Sequence, residues 1–305
     1  MRQTASIDKE RFSVKKQMNI FRTFGIMSVI ISMLLVGGCR KDDDDDNGGE
    51  VFNGTVNVGG HQLYMKCAGK GAPAVILEAG GFDSFSDGAW TKVYNRIADF
   101  TTVCAYDRAG YGKSDMGPEP RSSEQIAQEL HALLQNLPSS EVKPPYILAG
   151  HSMGGFHIWT YANRYPNDIA GMAFVDSSYP LSWAEPLSSD CESEMQFALF
   201  SDDDSQNPSP GEIADGKAYG YIYCTEAERL NSLPNVPVVA LTHTRLDGDP
   251  EETIQQLYAM HQKIVNLVSD GMHLTADAGH YIQHDDPNAV ISAIRHLYNK
   301  TAIAR

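Results

Sequence analysis

The sequence predicts an α/β fold, with a mostly parallel sheet covered by helices on both faces. Three observations carry that expectation. Short apolar runs alternate with segments of helical period, apolar residues make up 42% of the 305 and charged ones 21%, and no internal repeat breaks the rhythm. This composition excludes collagen, coiled coil and wholesale disorder. The formal charge of −15 gives a surface that repels phosphate backbones, so nucleic acid is not an expected partner.

Residues 1–38 read as an export address. Lys15, Lys16 and Arg22 precede an apolar run over 26–36, and Val36-Gly37-Gly38-Cys39 follows. That run is too short for a bilayer span, which takes about 20 residues, but suits the core of a signal peptide. Small residues directly before a cysteine resemble a bacterial lipoprotein signal, which implies lipid attachment at Cys39 and an outer-membrane anchor. Met18 would start a signal of more usual length. Residues 39–50, with five aspartates at 42–46, form a solvated, self-repelling tether. The acidic run also looks like the export tag of surface-exposed lipoproteins, which implies display on the cell surface, with the periplasmic face as the alternative.

From residue 51 the domain proper is expected. Strands are predicted at 51–58, 62–67, 74–78, 101–106, 146–149, 172–175, 236–241 and 273–276. Ser122 and Gln125 suggest a capping box for a helix that carries Ile126, Leu130, Leu133, Leu134 and Leu137 at helical spacing. A second helix spans 251–268, and a third opens at Asp286-Pro287 and buries Val290, Ile291, Ile294 and Leu297. Residues 177–233 lack this rhythm, with Trp183, Phe197, Phe200, Tyr219, Tyr221 and Tyr223 among acidic and proline-rich stretches. They read as an insertion over the carboxyl ends of the strands, where open parallel sheets place their ligands, and so as a lid.

The chemistry centres on Gly150-His151-Ser152-Met153-Gly154-Gly155. A strand at 146–149 precedes this pattern and a helix-forming stretch at 156–164 follows, which is the strand–turn–helix a nucleophile elbow requires. A serine hydroxyl needs a base, and among ten histidines His280 is best placed, after a short strand and directly before the last helix. His284 stands one turn on, whereas His131, His243, His261 and His273 lie in strand or helix contexts where a packed or solvated imidazole is the commoner outcome. Acyl transfer also needs donors for the developing oxyanion. The backbone N–H groups of Gly81, in the turn Ala79-Gly80-Gly81-Phe82, and of Met153 are the natural pair.

Together with Asp107-Arg108-Ala109-Gly110-Tyr111-Gly112 and Gly279-His280-Tyr281, these segments resemble the α/β-hydrolase fold family from about residue 60 onward. The resemblance implies an eight-stranded sheet, a lid after the sixth strand, and a Ser–acid–His triad in that chain order. Glu78-Ala79 stands where many members have His-Gly, and Asp107 and Arg108 look structural. A serine at the elbow excludes the ester-forming aspartate of dehalogenase and epoxide-hydrolase relatives. The implied reaction is hydrolysis of a small acyl substrate, a carboxylic ester first, with amides, thioesters, N-terminal peptide bonds and perhydrolase chemistry behind it. No metal or nucleotide motif is visible and the mechanism needs no cofactor. The alternative is a silent ligand-binding lipoprotein on the same fold.

Two carboxylates compete for the triad. Asp176 ends the strand after the elbow helix and is preferred, while Asp247, with Asp249 beside it, follows the next strand at the family's more usual position. Beyond Cys39, four cysteines permit two disulfides in an exported chain, with free thiols as the alternative. Cys191 and Cys224 bracket the lid, and the resemblance makes Cys67 and Cys104 neighbours, so those two pairs are expected.

Overall fold

The computed structural model describes residues 49–184, 186–192, 209–246 and 250–302. The signal segment, Cys39, the aspartate run, Phe197, Phe200, Asp247 and Asp249 lie outside them. Among the described residues no helix is long and apolar enough to cross a membrane.

All eight predicted strands form, as β1 Glu50–Asn57, β2 Gln62–Ala68, β3 Val75–Glu78, β4 Val103–Tyr106, β5 Tyr146–His151, β6 Ile169–Val175, β7 Val238–His243 and β8 Gly271–Ala276. They make one sheet in the order β1-β2-β4-β3-β5-β6-β7-β8. The β1–β2 and β2–β4 pairs are antiparallel. Every later pair is parallel. The central strands β3, β4 and β5 are buried along their whole length, as short apolar runs covered on both faces must be.

Helices α1 Thr91–Ala98, α2 Ser123–Asn136, α3 Gly154–Arg164, α4 Pro210–Tyr221, α5 Glu251–Val265, α6 Ile282–Asp285 and α7 Pro287–Ala302 complete the described domain. On one face, α2 and α3 pack Leu130, Leu133, Phe156 and Trp159 against Ile76, Leu148 and Met172. On the other, α1 and α7 pack Val93, Ile97, Val290 and Ile294 against Val75, Leu77, Ile147 and Val175. Neighbours such as Val75 and Ile76 go to opposite faces because the strand period is two. Ser122 caps α2 by accepting from the Gln125 N–H at 3.1 Å, but the Gln125 side chain turns to Glu129 instead of closing the box.

Two expectations need correction. Helix α1 carries no predicted counterpart, because it has no side-chain cap and only eight residues of pattern. Residues 177–233 are not irregular throughout: α4 is a capped helix inside them. Ser209 accepts from the Glu212 N–H, Glu212 answers the Ser209 N–H, and Pro210 fills the first turn, a complete capping box. Both expected disulfides are present, Cys67–Cys104 across the β2–β4 pair and Cys191–Cys224 beside α4.

Candidate active site

Because β3, β5, β6, β7 and β8 run parallel, their carboxyl ends share one edge of the sheet, and the predicted site residues gather there. Ser152 follows β5 with φ 51°, in the left-handed region. Its N–H donates to Val175 O at 3.1 Å and its carbonyl accepts from the Ser178 N–H at 3.0 Å, which ties the turn to the end of β6. Gly150 and Gly154 are required by close approach: a Cβ would stand 2.6 Å from Gly154 O in the first case and 2.4 Å from Ala79 O in the second.

Asp176 ends β6, also left-handed at φ 45°. Its N–H is held by Leu241 O at 2.9 Å on β7. Asp176 Oδ2 lies 2.7 Å from His280 Nδ1, so the structure brings together the preferred carboxylate and the preferred base, 104 residues apart. Both are buried. Burial alone would raise the Asp176 pKa, but hydrogen bonds from His243 and His280 outweigh it and hold the carboxylate well below its usual range. It is therefore ionised and can only accept, so His280 carries its hydrogen on Nδ1 and Nε2 is left to act as a base.

The loop bearing His280 is fixed from three sides. His151 Nε2–H donates to His280 O at 3.0 Å, Asp285 accepts from the Gly279 N–H at 2.9 Å, and the Arg245 N–H reaches Ala278 O at 3.0 Å. His151 is fully buried, and burial together with the nearby His280 lowers its pKa to about 3.

Gly81 and Met153 face each other: a Cβ on Gly81 would stand 3.0 Å from Met153 Cε. Met153 is the N-cap of α3, where backbone N–H groups and the helix dipole favour negative charge. The turn before Gly81 is clamped by Arg108, whose guanidinium donates to Ala79 O at 2.8 Å, Gly80 O at 2.7 Å and Glu78 Oε1 at 2.9 Å. The same group meets Asp215 of α4 at 3.1 Å. Glu78, at the position of departure from the family pattern, is thus a buried partner of Arg108 and Tyr106. Burial raises its pKa against the pull of Arg108.

The sequence profile described as the alpha/beta hydrolase family matches residues 75–293, which spans every residue named in this site. The chain belongs to the alpha/beta hydrolase family. This hydrolase is 27% identical over 232 residues to the uncharacterised protein YqjL of Bacillus subtilis, covering 74% of this chain and 83% of that one. It is 30% identical over 100 residues to the bovine (lyso)-N-acylphosphatidylethanolamine lipase, but that stretch is only 32% of this chain and 29% of the lipase. Among solved structures, a thermophilic esterase from Thermogutta terrifontis superposes with a TM-score of 0.62 at 20% identity, over 83% of this chain and 99% of that one, a likeness of fold.

One functional neighbour escaped the sequence reading of this hydrolase. His243, expected to be a packed or solvated imidazole, is buried at the end of β7 with Nδ1 2.7 Å from Asp176 Oδ2. It ends β7, the strand beside the one that carries the acid, and that adjacency is set by the sheet order and not by the local sequence. Asp176, His243 and His280 offer donor atoms within 4.8 Å of one another. Their 2.7 Å spacings are those of hydrogen bonds, whereas ligands on a tetrahedral zinc stand roughly 3.3 Å apart. His284 sits one turn beyond His280 and gives its carbonyl to Lys92, and His131 stacks on Tyr165.

Proposed function

We propose that this hydrolase cleaves an acyl bond, a carboxylic ester first, through an acyl-enzyme on Ser152, with His280 as base and Asp176 as the carboxylate that orients it. The observation that carries the reading is the 2.7 Å contact between Asp176 Oδ2 and His280 Nδ1 at the strand ends flanking the Ser152 turn. Ser152 Oγ attacks the carbonyl carbon as its proton passes to His280 Nε2, and the N–H groups of Gly81 and Met153 receive the oxyanion. Collapse breaks the ester C–O bond, and His280 returns the proton to the departing alcohol. Water then attacks the acyl-enzyme, gives a proton to His280, and the second collapse frees the acid and restores the serine hydroxyl. Beside the oxyanion turn, Phe82 is 37% exposed and stacks on Tyr219 at 6.0 Å, which suits an apolar acyl or alcohol group. Helix α4, carrying Tyr219 and Asp215, would serve as part of the lid. Lipid attachment at Cys39 would hold the enzyme at the outer membrane; a fatty-acid label that persists in Cys39→Ser would refute it.

The deciding experiment is fluorophosphonate labelling of the intact protein beside Ser152→Ala. The wild type is expected to label and the variant not. An unlabelled wild type would favour a ligand-binding protein on this fold, and equal labelling of both would place the nucleophile elsewhere.

A further inference from the structure

We propose that His243 is a positioning residue of this site: by sharing Asp176 with His280 it locks the carboxylate and sets how strongly that carboxylate draws on the base. The inference rests on the Ser152–His280–Asp176 reading above. Its geometry is specific. The His243 N–H donates to Asp176 Oδ1 at 3.0 Å, and its ring Nδ1 reaches Oδ2 at 2.7 Å. His280 Nδ1 meets the same Oδ2 at 2.7 Å. The two imidazoles stand nearly perpendicular, 81° apart with centroids at 6.4 Å, so neither crowds the other out. Since an ionised carboxylate only accepts, both rings must donate.

Two consequences follow. The backbone and ring donors of one residue grip both carboxylate oxygens, so the plane of Asp176 cannot turn, although its backbone is in a strained conformation. The second donor on Oδ2 also takes a share of the charge that would otherwise stabilise a protonated His280 alone. Removing the His243 donor should therefore strengthen the remaining bond to His280, make the base protonate at higher pH, and loosen the carboxylate.

Other ionisable groups face this cluster. His151 lies 4.7 Å from the His280 ring between centroids, Tyr281 lies 5.5 Å from it, and His261 of α5 donates to Ser177 O at 2.7 Å. Burial holds His151 and His261 below the ordinary imidazole range, and lowers His284 one turn on. Asp83, on the oxyanion turn, is pushed up to about 6 by burial and titrates in the same window. Of these groups only His261 feels the His243 ring, and the Phe and Asn variants both remove that ring, so a difference between the two variants reports the Asp176 bonds.

The test is the rate constant for fluorophosphonate labelling of the full chain as a function of pH. The variants are His243→Phe, which fills the ring's space without a donor, His243→Asn, whose amide N–H can take the place of Nδ1–H, and Ser152→Ala. The Phe variant should move the acid limb up by about 0.5–1 pH unit and lower the plateau on the order of 10- to 100-fold. The Asn variant should restore the wild-type limb and most of the rate. A Phe variant with an unmoved limb and only a lower melting temperature would overturn the proposal, as would equal impairment by Phe and Asn. Should the Phe variant fail to melt cooperatively, His243→Leu takes its place with the same criteria. Wild-type labelling of Ser152→Ala would sink the triad reading itself, whereas an inert Ser152→Ala beside an unmoved limb would sink only the role of His243.

Discussion

Ser152 and Asp176 are both non-glycine residues with positive φ, at 51° and 45°. Each such conformation costs about 1–3 kcal/mol and persists only where the surroundings over-determine it. Here backbone bonds do so: Ser152 to Val175, Ser178 to Ser152, and Asp176 to Leu241. The strain aims a hydroxyl and a carboxylate away from their strands toward the same edge, which a relaxed continuation of β5 or β6 would not. Asp176→Asn keeps the size of the side chain but offers an N–H where His280 and His243 both donate. It is expected to cost on the order of 10⁴ in turnover of an activated ester, by analogy with the serine-protease triad. Asp247→Asn should stay near wild type; the reverse pattern would return the acid to the loop after β7. His243 was legible only as lying in a strand or helix context, since the predicted strand stopped at Leu241, and its partner was not legible, because nothing local in Leu241-Thr242-His243 reports which strand lies alongside.

Helix α4 shows how an element can be hidden by its own composition. Pro208-Ser209-Pro210 and three glycines at 211, 216 and 220 read as breakers. Two of the glycines instead serve close packing: a Cβ on Gly211 would stand 2.5 Å from the Tyr111 ring, and one on Gly220 would stand 2.4 Å from Glu192 O. The Ser209–Glu212 capping box was the signal that outweighs them. What docks the helix on the oxyanion turn is ionic. Asp215 accepts from Arg108, from Tyr111 OH at 2.7 Å and, at 3.4 Å, from the Phe82 N–H. Arg108 is buried between Asp215 and Glu78, so Arg108→Met would leave two carboxylates without their cation and the Ala79 and Gly80 carbonyls, with that of Asp83 at 3.4 Å, without this donor. Breaking a buried pair in this way costs about 3–5 kcal/mol. A urea titration should show that loss together with slower fluorophosphonate labelling. An unchanged midpoint would mean that the clamp contributes nothing to stability.

At the scale of the whole molecule, a set of buried neutral histidines makes stability depend on pH. Burial holds His151 at about 3 and keeps His157 and His261 below the usual range; half-buried His273 is lowered to about 4. In the unfolded chain an imidazole titrates near about 6.5, so the unfolded state binds protons first as pH falls. The stability is thus full above about 6.5 and is lost toward the folded values, at about 1.4 kcal/mol per pH unit for each fully buried ring. Asp83 acts in the opposite sense: raised to about 6, it recovers stability as pH drops from there toward its unfolded value near about 3.9. Glu78 and Glu226 are raised by burial in the same sense as Asp83, but with His284 five lowered imidazoles stand against these three carboxylates, so the urea midpoint should fall between about pH 7.5 and about pH 5.5. Equal midpoints would show that the rings do not stay neutral in the folded protein. The sequence by itself determined where the eight strands lie along the chain, three long helices, the Ser152 turn and the preference for His280, because apolar period, caps and glycine turns act over a few residues. Only the tertiary structure decided that Asp176 meets His280, that His243 shares it, and that Arg108 joins the oxyanion turn to α4. Those contacts join residues 67 to 107 positions apart and depend on strand order and on side chains meeting at the parallel edge, which no local pattern encodes.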